Sequence, residues 1–140
     1  KMASQLKVDT ITGVTTAGSI AVTGEGNSTT TNLQQGLAKC WVNFNGGGTA
    51  AIGDSLNAAS ITDQGTGNYK FTFSANMGNT DFCATGTAKE TDGTGAAHNN
   101  GTGAMCHSHS ASTVEFISFS PDGNTRDCTI AGLDIKGDLA

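Results

Sequence analysis

Proline occurs once in this chain, tryptophan once and tyrosine once, and charged residues make up only 14% of it. Basic residues are the scarcest charge, 7 Lys and Arg against 12 Asp and Glu, for a formal net charge of -5. No basic patch is present to release counterions from a phosphate backbone, which argues against a nucleic-acid partner and against an anionic membrane surface. Apolar runs never approach the 18 residues of a membrane-spanning helix. None of the four cysteines forms a CxxC pair, which disfavours a zinc knuckle or redox motif. The chain also lacks a GxSxG elbow, and Gly46-Gly47-Gly48 lacks the Lys-Ser/Thr of a phosphate loop.

What fills the chain is Thr, Ser, Asn and 20 Gly. Glycine and threonine disfavour helix and suit strands and turns, so the chain is expected to be all-β. At 140 residues it makes one domain with an appendage. The organising stretch is 32–46. Leu33 and Leu37 stand four apart, as on one face of a helical turn. From Cys40 the period drops to two, with Cys40, Val42 and Phe44 alternating against Trp41, Asn43 and Asn45. Three segments follow: an N-terminal attachment or stem segment 1–31, a short helical neck 32–39, and a β head 40–140. Tyr69, Phe71 and Phe73 mark the clearest strand of the head, and Pro121-Asp122-Gly123-Asn124 its clearest turn. Seven or eight short strands at this spacing predict a jelly-roll-like β-sandwich.

The first 31 residues hold only scattered apolar side chains among Thr and Gly. Strands so short bury no face alone, so copies of the chain are expected to wind around one axis as an intertwined β stem. Leu6, Val8, Ile11, Ile20, Val22, Leu33 and Leu37 are the interface residues this predicts, and Trp41 joins them as an aromatic of the type enriched at interfaces.

Cys40, Cys83, Cys106 and Cys128 each sit in a strand-like run and are expected as buried thiols, with disulfide bridges the alternative. His107 and His109 alternate with Cys106 and Ser108, which places both imidazoles on one face of a strand as candidate metal ligands. Interface or surface histidines are the plainer reading, and no metal or cofactor is expected. Asx-rich turns at 63–68 and 122–127 lack EF-hand spacing and read as ordinary turns. No two carboxylates are singled out for glycan cleavage. Tyr69 offers a stacking surface to a sugar. The polar segment 89–103, with His98, Asn99 and Asn100, reads as an exposed loop suited to receptor contact.

The opening SQLKVDTITGVTTAGSIAVTGEG, the stretch NSTTTNLQQGLAKCWVNFNG and the closing DIKGDLA resemble small fibre or tail-fibre-like virion proteins of marine tailed phages, of the cyanophage type. These stretches cover 50 of the 140 residues. The resemblance implies a non-enzymatic homotrimer on the exterior of a virion, assembled in the host cytoplasm. Its N-terminal segment would join other virion proteins, and its outward head would contact host-surface glycan or protein. A capsid decoration or cement protein and a glycan-binding, lectin-like module are the alternatives.

Overall fold

The computed structural model describes residues 6–13, 20–24, 29–89 and 103–140. The chain divides into two compact units, Lys1–Leu37 and Ala38–Ala140.

In the first unit, β1 (Ala21–Thr23) pairs antiparallel with β2 (Thr30–Asn32), Val22 lying opposite Thr31. The amide of Gly24 closes this hairpin on the carbonyl of Thr29, 2.9 Å away. The pairing of these two strands is made within one chain. After β2 comes a single helical turn, α1 (Leu33–Gly36). The expected neck helix 32–39 does not form, because Asn32 belongs to β2 and Ala38 already begins the next strand. One turn is all that the Leu33 and Leu37 pair nucleates, since helix initiation is costly and Gly36 opposes extension.

The second unit is built from β3 (Ala38–Asn45), β4 (Ala51–Leu56), β5 (Ala58–Gly65), β6 (Asn68–Phe73), β7 (Cys83–Lys89), β8 (Gly103–Ser110), β9 (Thr113–Phe119) and β10 (Ile130–Lys136). They form two four-stranded antiparallel sheets, ordered β4-β3-β10-β7 and β5-β6-β9-β8. The period-two alternation read from the sequence fixes which side chains turn inward. Val42 and Phe44 of β3, Phe71 and Phe73 of β6, Val114 and Phe116 of β9, and Leu133 and Ile135 of β10 are all buried. Both sheets feed one hydrophobic core. At its centre the Phe44 ring meets Tyr69, Phe71 and Phe116 edge to face, with centroids 4.9–5.2 Å apart, the arrangement that the aromatic quadrupole favours.

The all-β composition is present, but the closed, jelly-roll-like sandwich expected for 40–140 is not. Successive strands β3 and β4, β5 and β6, and β8 and β9 lie side by side as pairs within one sheet. A jelly roll instead separates neighbours through its Greek-key connections. Each sheet remains open, ending on β4 and β7 or on β5 and β8.

Two polar corners hold the strand connections. Asn57 alone separates β4 from β5, which belong to different sheets, and it takes a positive φ of 60°. Its amide donates to the carbonyls of Lys39 and Ala75 at 3.0 Å, and its Oδ1 accepts from the Ala75 amide at 2.6 Å. Asparagine tolerates this backbone conformation because its short side chain satisfies nearby main chain. At the second corner, Gly67 (φ 68°) presses against the backbone of Ser118 and Arg126. Its amide donates to Asp127 Oδ1 at 2.8 Å, and its carbonyl accepts from the Ser118 amide at 2.8 Å.

Candidate functional site

The interface residues predicted in the first unit are open to solvent in the single chain. Leu6 is 80% exposed and Leu37 55%, and Val8, Ile11 and Val22 are exposed as well, while Ile20 and Leu33 are half-buried. Among the described residues this unit has no buried side chain. Ile11, Ile20, Leu33 and Leu37 converge on one open groove of about 370 Å³. Leu6, Val8 and Val22 are not part of it. The main chain brings this cluster together, since the Leu33 amide bonds the Ile20 carbonyl at 2.8 Å and so extends the β1–β2 ladder.

In the second unit Trp41 points out of the core, as its strand phase predicts, and is 37% exposed. It lies opposite Leu56 on β4 and Asp134 on β10.

Tyr69, expected to offer its ring to a sugar, is fully buried instead. Its hydroxyl lies 3.0 Å from both the Gly46 carbonyl and Asp127 Oδ1, so a single proton serves two acceptors. Burial, reinforced by the bond to Asp127, raises its pKa far above the ordinary phenol value. The strand phase held the signal, because Tyr69 shares a face with Phe71 and Phe73. Its polar tip is satisfied inside the core, as buried tyrosines require.

The two candidate metal ligands are not brought to one face. The β8–β9 register shifts between them, so His107 lies opposite Glu115 and His109 opposite Val114. Those partners are consecutive residues on β9 and face opposite sides. His107 Nε2 stands 3.7 Å from Glu115 Oε2, whose other oxygen accepts from Gln64 at 3.4 Å. His109 instead packs its ring on Phe82 at 4.7 Å. A bulge of this kind re-aims side chains, and nothing in the HxH spacing announces it. Among the described residues no group of three or more His, Cys, Asp or Glu is placed to hold a metal ion.

All four cysteines are free thiols. Cys40 and Cys128 are buried and Cys106 is half-buried, whereas Cys83 is exposed, against expectation, at the start of an edge strand. Burial pushes the Cys40 thiol up to about 11, with the Asp134 carboxylate adding to it, and pushes Cys106 up to about 11 as well. Such thiols stay protonated and are poor nucleophiles.

The 122–127 turn is closed by its own groups. Asp122 accepts from the Ser120 hydroxyl, from the Asn124 side chain at 2.8 Å and from the Asn124 amide at 3.2 Å. These bonds, that of Ser120 first, lower its pKa to about 2. In the 63–68 turn, Asp63 accepts from the Gly65 amide at 2.9 Å. His98, Asn99 and Asn100 lie outside the described residues.

Exposed apolar side chains thus line the groove of the first unit and, in the second, stand at Trp41 and Leu56. In comparisons with known proteins, no family model, no curated protein and no solved structure matches this chain.

Proposed function

We propose that this chain is a homotrimeric structural protein of a phage virion, a short fibre or appendage that presents its β unit outward for attachment to host-surface glycan or protein. The observation that carries the assembly half of this reading is the solvent exposure of Leu6, Val8, Ile11, Val22 and Leu37 in a single chain. A run of apolar side chains left uncovered within one short unit marks an interaction surface. Neighbouring copies supply the cover that the unit's own sequence lacks. The virion setting comes from the likeness of the opening, middle and closing stretches to marine phage fibre proteins. The N-terminal unit then joins the protein to other virion components, and no chemical step is assigned to any residue.

The test is direct labelling of particles. Antibodies against the second unit are expected to decorate intact virions at a defined position. Absence of the protein from purified particles would overturn the virion half of the reading.

A further inference from the structure

On the outward face of the sheet β4-β3-β10-β7, a projecting aromatic stands beside a hollow. The strand registers set Leu56, Trp41, Asp134 and Thr85 in one row across the four strands. Asp54, Asn43, Gly132 and Thr87 make the next row. Gly132 contributes no side chain at the middle of that row, and a depression of about 220 Å³ opens there between Thr85, Thr87 and Asp134. Trp41 rises in the adjacent row, 37% exposed, with Leu56 beside it at 47%. Ile130, on the same side of β10, is 54% exposed.

The charge on this face points to the occupant. Asp54 and Asp134 are matched in number by Lys89 and Lys136, and Lys136 bonds Asp134 directly. The formal charge of -5 carried by the chain therefore falls outside this face. Like-charged molecules repel except where their surfaces balance, so two copies meet no net repulsion on this face. Aliphatic Leu56 and Ile130 offer nothing to sugar hydroxyls but match another protein surface. A projection and a hollow on one face complement a second copy either reciprocally across a two-fold axis or head to tail around a closed ring, and the trimer reading selects the ring.

We infer that copies of this chain meet on this face, with Trp41 of one copy entering the hollow over Gly132 of the next. The inference rests on the trimer reading and names the contact that the second unit makes. Trp41 is the only tryptophan, so its emission reports the contact without a label.

The experiment compares the full chain with Gly132→Leu and Trp41→Thr, by mass in solution and, where Trp41 is present, by its emission across a dilution series. A Cβ at Gly132 is accommodated, since it meets only Thr87 Oγ1 at 3.4 Å and the Val42 carbonyl at 3.8 Å. Circular dichroism confirms folding, and Trp41→Thr tests the same contact from the projecting side should the glycine variant misfold. The expected result is blue-shifted Trp41 emission in the assembled wild type. Filling the hollow should red-shift that emission and weaken association by about tenfold or more, the size of losing an interface anchor. A trimeric wild type whose mass and emission are unchanged by Gly132→Leu, and whose mass is unchanged by Trp41→Thr, would overturn this inference and leave the trimer reading standing. A wild type monomeric at every concentration would overturn both. Trp41 emission that responds to added monosaccharides in such a monomer would reassign the face to glycan.

Discussion

Gly67 shows how much of this fold hangs on single positions. Its φ of 68° suits glycine, and a Cβ there would stand 2.6 Å from Arg126 N and from the Ser118 carbonyl oxygen. Gly123 has a similar φ of 82° but open space around it. Gly67→Ala is expected to cost about 2–4 kcal/mol through clash and backbone strain. Gly123→Ala should cost about 1 kcal/mol through strain alone. Urea unfolding midpoints of the two variants check the difference. Equal losses would mean that the 67–126 contact is not as tight as described.

The thiols supply a second residue-scale prediction. Cys40 and Cys106 have folded-state values of about 11, above the ordinary 9.0. Protonated thiol is thus favoured by folding, so this contribution is complete below pH 9 and is lost as pH rises through 11. Asp122 behaves oppositely, lowered from 3.8 to about 2, so its contribution is present above pH 3.8 and is lost as pH falls through 2. Melting temperature measured from pH 2 to 11 should fall at both ends. Replacing Cys40 and Cys106 with Ala should flatten the alkaline limb, and a limb unchanged by both replacements would contradict the assignment.

At the level of elements, strand positions were the most legible feature of the sequence. Alternation about Phe44 and Phe71 gave β3 and β6 because each strand buries one face, and burial is what imposes a period of two. Features set by a partner strand were not legible. The bulge at 107–109 is a property of the β8–β9 pairing, and the HxH spacing looks the same with or without it. The sheet order was hidden for the same reason, since Asn57 reads as any polar turn residue until its three bonds to Lys39 and Ala75 are seen. Asn57→Ala removes those bonds and keeps the unfavourable φ, at an expected cost of about 2–4 kcal/mol. Asn57→Gly relieves the φ alone and should recover about 1 kcal/mol of that loss. Thermal unfolding of the pair separates the two contributions, and a silent Asn57→Ala would show that the corner does not depend on this side chain.

For the whole molecule, the account depends on association. The second unit carries its own aromatic core, whereas the described part of the first buries no side chain and leaves Leu6 and Leu37 in water. A shortage of apolar residues before position 33 is visible in composition, and it is what predicts the interface set. The sequence marks Trp41 as the interface candidate of the second unit but not the hollow over Gly132, which depends on sheet register. The most direct measurement is the native mass of the full chain at micromolar concentration. The account predicts one species at three times the 14.1 kDa chain mass. A single stable species at 14.1 kDa would contradict it.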